Sequence, residues 1–384
     1  MKLQLLIINV LMNLVLTNQE EEEKQMTTSP GFLIDEDYFN ALLNSTPPDE
    51  DEPSAPCSVT MPGYSSLGMT ITYIIVFVLS MVGNSVVVYV VCCMKKGRAS
   101  TDIYLMHLAI ADLLFCLTLP FWAVSAFGSD WIFGTFLCKL LSGFQEASVY
   151  SGVFLLACIS VDRHFAIVRA TRVLPSHHLW VKVVCSVVWL LAGVLSLPVA
   201  VQRESMYAQD LNQNICYENL TGESSEHWRV GLRVLRHTVG FFLPLVVMGI
   251  CYGSIVVTLF HTRNQQKHKA MRVILAVVLA FVLCWLPYNI IVLIDTLRRG
   301  GSIIVEICDT RYALEMMLKV TQVLAFMHCA VNPVLYAFIG EKFRNQLLLT
   351  LCKHGLISKR FQMAYRTGSV SSAGSIRSRN TSTM

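Results

Sequence analysis

Polar and ionisable residues stand inside otherwise apolar stretches of this chain, and their types point to hydrogen bonding and charge pairing within a membrane. Asn84, Asp112 and Glu146 are such residues. Asp162-Arg163-His164 puts an acid beside an arginine at the end of an apolar run, where the acid can hold the arginine until a partner or a helix movement releases it. Cys284-Trp285-Leu286-Pro287 joins a bulky ring to a helix breaker, a pivot that ligand contacts can bias. Asn332-Pro333-Val334-Leu335-Tyr336 supplies a second kink with an amide and a phenol able to bond across helices. Asp112 is the only acid in its stretch and needs a polar partner, for which Asn84 and Asn332 are available. No catalytic dyad or metal-ligand cluster is legible, so an enzyme is not expected.

The elements that must position these residues are seven apolar stretches: Leu67–Met94, Ile103–Phe127, Leu140–Val161, Val183–Val201, Thr238–Phe260, Val273–Ile294 and Val320–Ile339. Each approaches or exceeds the ~20 residues a spanning helix needs, and an ionisable group near mid-bilayer costs at least ~2.5–3.5 kcal/mol on insertion scales. The 384 residues are 54% hydrophobic and only 15% charged, more apolar surface than a soluble domain can hide. The fold class is therefore an all-α membrane protein.

Charge sets the orientation. Acidic residues crowd the beginning (Glu20 to Glu23, Asp35-Glu36-Asp37, Asp49 to Glu52). Basic ones crowd the first, third and fifth loops (Lys95, Lys96, Arg98; Arg169, Arg172; Arg263, Lys267, Lys269, Arg272) and the tail. The positive-inside bias then places the N-terminus outside and the C-terminus in the cytoplasm. Residues 1–66 read as an acidic extracellular arm, too polar to fold alone. Within it residues 1–16 have the basic start and short apolar core of a signal peptide, or of an uncleaved apolar start. Residues 67–340 form the bundle, 341–352 an amphipathic helix on the inner membrane surface, and 353–384 a disordered tail. Asn44 and Asn219 head glycosylation sequons on the outer side. Cys57, Cys138, Cys216 and Cys308 lie outside or at the outer edge, and four such cysteines allow three pairings.

Taken together and in this order, Asn84, Asp112, Cys138, Asp162-Arg163, Trp189, Pro244, Tyr252, Trp285-Pro287 and Asn332-Pro333-Tyr336 resemble the signature positions of rhodopsin-like G-protein-coupled receptors, one set per helix. That resemblance implies a seven-transmembrane helix bundle with an amphipathic eighth helix. Thr118-Leu119-Pro120 looks like the second-helix kink of chemokine receptors. Trp131 to Lys139, Ala157 to Arg163, Gln266 to Ile274 and Leu335 to Gly340 are similar to the CXC, interleukin-8 receptor subgroup.

The resemblance implies two disulfides, Cys138 with Cys216 and Cys57 with Cys308. It implies basic CXC chemokines as ligands, attracted by the acidic arm around Asp35, Asp37 and Tyr38, with Tyr38 in a context that suits sulfation. Arg229, Arg233, Asp295, Glu306 and Arg311 match charged pocket positions, a bidentate arginine suiting a ligand carboxylate. It also implies an inhibitory-class heterotrimeric G protein received by Arg163 and Tyr252, chemotaxis and calcium signalling, and receptor kinases and arrestin acting on the serine-rich tail. Ser382-Thr383-Met384 resembles a PDZ ligand. Membrane lipids surround the chain, and nothing calls for nucleic acid or a cofactor, apart from the family's internal sodium ion near Asp112. Departures are His164 in the Asp-Arg-Tyr motif, Gln322 where many relatives carry glutamate, Lys267 in place of an acid, and Gly152 and His328 around Asp112. A non-signalling scavenger is the nearest rival; a retinal pump lacks a lysine deep in the last helix, Lys319 standing at its edge.

Overall fold

A computed structural model of the chain describes residues 66–93, 99–169, 177–209, 212–219, 225–260, 265–299, 308–339, 341–355 and 357–358. Seven of its helical runs are long and apolar enough to cross a membrane. The first is α1 (Ser66–Cys93). The second is α2 (Ser100–Cys116) and α3 (Leu119–Gly128), broken at Leu117-Thr118 where Pro120 enters. The Phe115 carbonyl accepts both the Thr118 N–H at 3.0 Å and the Thr118 hydroxyl at 2.7 Å, closing the turn ahead of Pro120, which has no N–H to continue the ladder. Then come α4 (Gly134–Ile167) and α5 (His177–Gln202), followed by a two-stranded antiparallel hairpin, β1 (Arg203–Ala208) and β2 (Gln213–Glu218).

The fifth span is α6 (Ser225–His237), a π-helical turn at Thr238–Phe242, and α7 (Leu243–Phe260). The sixth is α8 (Gln265–Arg299). The seventh is α9 (Cys308–Phe326) and α10 (His328–Ile339), and α11 (Glu341–Lys353) follows as a separate helix. Its Phe343 ring lies 6.2 Å from that of Tyr336.

α4 is the centre of the bundle, packed on α2, α5, α7 and β1. Lipid tails are as apolar as leucine, so helix association rests on close packing and interhelical hydrogen bonds. Gly83 shows the first: a Cβ there would meet Pro333 at 2.8 Å, so only glycine admits that ring. Trp189 Nε1 donating to His107 Nδ1 at 3.2 Å shows the second, joining α5 to α2. Many large apolar residues stay exposed, Leu190, Ile250 and Val82 among them, as a lipid-facing surface requires.

Several helices outrun the apolar stretches read from sequence. α4 reaches Ile167, so Asp162-Arg163-His164 lies within a helix rather than at its end. Lys267, Lys269 and Arg272 belong to α8, not to a loop. Between the fourth and fifth spans the chain carries the hairpin, and the fifth span begins already at Ser225, ahead of the apolar stretch Thr238–Phe260. Hydropathy detects the part of a helix that lipid touches, and these turns continue beyond it.

Candidate functional site

The disulfide between Cys138 at the start of α4 and Cys216 on β2 pins the hairpin across one end of the bundle, with a Cα separation of 5.6 Å. Two further ties fix it: Trp131 N–H donates to the Asn214 carbonyl at 2.9 Å, and Asn214 N–H donates to Asp130 Oδ1 at 2.7 Å. The hairpin holds Arg203 and Glu218 over a cavity of about 230 Å³.

One wall of that cavity is a column of arginines. Arg229, Arg233 and Arg236 recur at i, i+4 and i+7, which brings all three to one face of α6. Each meets an acid from a different element. Arg229 Nε is 3.7 Å from Glu218 Oε2 on β2. Arg233 Nη1 is 2.7 Å from Asp295 Oδ2 on α8. Arg236 Nη2 is 2.6 Å from Glu146 Oε1 on α4. Arg203 Nη2 adds a second cation to Glu218 at 3.5 Å, and Arg298 Nη2 adds one to Asp295 at 2.9 Å. Tyr150, Tyr288 and Gln322 also line the cavity.

Beneath it lies a second space of about 20 Å³, walled by Glu146, Arg236, Phe281, Trp285 and Asn289 and sharing Tyr150, Arg236 and Tyr288 with the space above. The π turn brings Gly240 against Tyr150; a Cβ on Gly240 would meet that ring at 2.6 Å. Pro287 interrupts the α8 ladder, and there the Asn289 amide donates to the Trp285 carbonyl at 2.9 Å while its Oδ1 lies 2.7 Å from His237 Nδ1. Trp285, 3% exposed, has its ring 5.3 Å from that of His328 and 6.0 Å from that of Phe281. The Trp285-Pro287 pivot read from sequence thus borders the small lower space rather than the cavity itself, through Trp285.

Deeper still, Asp112 is 2% exposed. Its Oδ2 accepts from Asn332 Nδ2 at 2.8 Å, and its Oδ1 lies 3.4 Å from His328 Nε2. Asn84, the other expected partner, instead donates to the Cys329 carbonyl at 2.9 Å and to Ser80. Asp112, His328 and Cys329 bring their ligand atoms within 4.8 Å of one another, so the fold assembles a potential metal-ligand cluster that sequence spacing hid. Hard cations take oxygen ligands. Beside the Asp112 carboxylate, Asn332 Oδ1 is a buried oxygen without a partner among the described residues, while His328 and Cys329 offer nitrogen and sulfur, a mixed donor set for the sodium ion implied by resemblance.

At the other end of α4, Asp162 Oδ2 holds Arg163, with Nη2 at 2.5 Å and Nε at 3.1 Å. His164 Nδ1 is buried without a hydrogen-bond partner among the described residues. Tyr252 and Tyr336 are both buried close to this end of the bundle.

Of the ligand residues expected from sequence, Arg229, Arg233 and Asp295 are brought together. Cys308 and Arg311 fall in the first turn of α9, with side chains outside the described set. Asp35, Asp37, Tyr38, Asn44, Cys57 and Glu306 lie outside the described residues. Asn219 follows β2, its amide donating to Glu204 Oε2 at 2.6 Å. Sequence reading missed Arg236, Arg203 and Glu218 as cavity residues, and singled out Glu146 without placing it there. The arginine spacing over 229–236 was the available signal.

The pattern of the family described as 7 transmembrane receptor (rhodopsin family) matches residues 83–336. The C-X-C chemokine receptor type 1 of Macaca mulatta is 47% identical over 339 residues, 88% of this chain and 95% of that protein. The type 2 receptor of Homo sapiens is 47% identical over 340 residues, 88% of this chain and 93% of that one. The type 2 receptor of Bos taurus is 46% identical over 326 residues, 85% and 89% of the two chains.

Proposed function

The chain belongs to the rhodopsin family of seven-transmembrane receptors, and from that premise we propose that it is a plasma-membrane receptor for basic CXC chemokines that activates a heterotrimeric G protein of the inhibitory class. The observation that carries this reading is the arginine-lined cavity beneath the disulfide-pinned hairpin, in a chain nearly half identical to receptors named for CXC chemokines. The hairpin end faces outward, in keeping with the acidic first fifty residues and the basic segments at the opposite end.

Recognition runs in two steps. The acidic arm, with Asp35, Asp37 and Tyr38, attracts a basic ligand and raises its encounter rate. The ligand's leading end then enters the cavity, where a carboxylate competes with Asp295 for Arg233. That exchange loosens the tie between α6 and the tip of α8, and contacts on the floor bias Trp285, on the inner side of the Pro287 kink. α8 swings outward at its inner end, Arg163 leaves Asp162, and the opened cleft takes up a G-protein helix. The activated G protein drives chemotaxis and calcium signalling, and receptor kinases and arrestin then act on the tail.

Cells expressing the chain, exposed to labelled CXC chemokines and assayed for G-protein activation, test the reading. Saturable binding with ligand-driven activation is expected. Binding and internalisation without activation would identify a scavenger instead, and no binding across the panel would overturn the chemokine assignment.

A further inference from the structure

The three acids of the cavity region are not equally occupied. Both oxygens of Asp295 face an arginine: Oδ2 meets Arg233 and Oδ1 meets Arg298. Both oxygens of Glu218 do likewise, Oε1 with Arg203 and Oε2 with Arg229. Glu146 breaks the pattern. Its Oε1 meets Arg236, while Oε2 is buried with no hydrogen-bond partner among the described residues. The residue is 6% exposed. A carboxylate oxygen shut away from water with nothing to accept from is costly, and a group that donates to it recovers that energy.

The space beside it limits what the donor can be. About 20 Å³ is room for one water-sized group. An ammonium head is of that size; a guanidinium, with four heavy atoms in a plane, is not. The floor separating this space from the 230 Å³ cavity consists of Tyr150, Arg236 and Tyr288, which line both. A group arriving from above therefore passes Tyr150, Arg236 and Tyr288.

We propose that Glu146 is the deepest anchor of the ligand site, taking a compact primary ammonium group, such as the α-amino group at a peptide ligand's N-terminus, on its open Oε2. The inference rests on the ligand using this cavity, as set out above. It completes for Glu146 the arrangement of two cations on one carboxylate that Asp295 and Glu218 already have. It also seats the ligand's leading group against Trp285, which lines the same small space, so occupancy is read directly by the pivot of α8. Arg236 is then the positioning residue: its pairing with Oε1 turns Oε2 toward the space.

The test has two arms. In the first, the purified receptor in nanodiscs is melted with increasing n-butylammonium chloride, against n-butylguanidinium chloride and potassium chloride at equal ionic strength. The ammonium salt is expected to raise the melting temperature of the unaltered protein and the other two are not. The rise is expected to vanish in Glu146→Gln and in Val149→Leu, which fills the space from its wall while leaving both charges in place. An equal rise in both variants, or no rise in the unaltered protein, overturns the proposal. Should Glu146→Gln fail to fold, Val149→Leu and the comparison of head groups decide alone.

The second arm uses interleukin-8 with a free or an acetylated N-terminus. Acetylation is expected to weaken activation at least tenfold in the unaltered receptor and to change nothing in Val149→Leu. The same tenfold loss in both receptors would overturn the assignment to Glu146. If interleukin-8 and the rest of the chemokine panel do not bind, the functional reading above fails, and the first arm still decides whether Glu146 takes an ammonium.

Discussion

At the hairpin end of the bundle five arginines and three acids face one another across β1, β2, α4, α6 and α8. Toward the middle a single acid, Asp112, meets an amide and an imidazole supplied by α10 alone. The first region is built of charges whose partners are interchangeable: a ligand carrying a carboxylate or an ammonium offers each residue the same kind of contact that it already has. The second is built of directional hydrogen bonds between buried groups that no ligand reaches, so it changes only when a helix moves. Exchange at one end and rearrangement at the other divide the work of a receptor between recognition and response.

That contrast is breakable by substitution. The largest effect is expected at Arg163, held by Asp162 at 2.5 Å: Arg163→Ala should abolish ligand-driven nucleotide exchange on the G protein while chemokine affinity in binding assays stays within a few-fold. Loss of affinity as well would mean that the two regions are not separable.

Next is the tie that builds the first region. Cys138→Ala opens a loop spanning 78 residues and should lower stability by about 2–5 kcal/mol, read as reduced surface expression and a lower melting temperature.

Arg233→Ala leaves Asp295 to Arg298 and removes the proposed carboxylate site. Chemokine affinity is expected to fall by about 1–3 kcal/mol, roughly five- to 150-fold, with surface expression nearly unchanged.

Gly83→Ala probes the second region without touching a charge. The added methyl would meet Pro333 at 2.8 Å, and overpacking of this kind costs about 1–3 kcal/mol. α10 should shift against α1, altering basal activation but not chemokine affinity. The smallest effect is expected from Gln322→Glu, which adds an acid to a cavity wall that already has three nearby. It should change affinity by less than about 1 kcal/mol, in the direction set by the ligand's local charge.

Much of this molecule is legible in one dimension, and the residues that are not share a cause. The seven spans follow from apolar length, because lipid contact is a property of each helix by itself. Asp112, Trp285, Pro287 and Asn332 stand out because a polar or kinking residue inside an apolar run is conspicuous without any knowledge of its partners. Glu146 stands out for the same reason, but Arg236, its partner, does not. It lies at the edge of an apolar run, among other arginines, where a charge attracts no notice. Glu218 and Arg203 are similarly hidden in a polar segment, and it takes the disulfide from β2 to α4 and the ties of Asn214 to Asp130 and Trp131 to bring them over the cavity. The resemblance put His328 near Asp112 as a departure from family pattern, and the fold added the contact itself, Nε2 to Oδ1 at 3.4 Å.

The sequence by itself determined that the chain crosses a membrane seven times, which family it resembles, and which residues are exceptional in lipid. Each of those properties depends on local composition and order. Tertiary structure alone decided who pairs across helices: Glu146 with Arg236, Asp295 with Arg233, and Asp112 with Asn332 and His328 rather than Asn84. Charge pairs and hydrogen bonds act over a few ångströms, and the residues that form their two halves lie as much as 220 positions apart in the chain, so the pairing exists only once the bundle has closed.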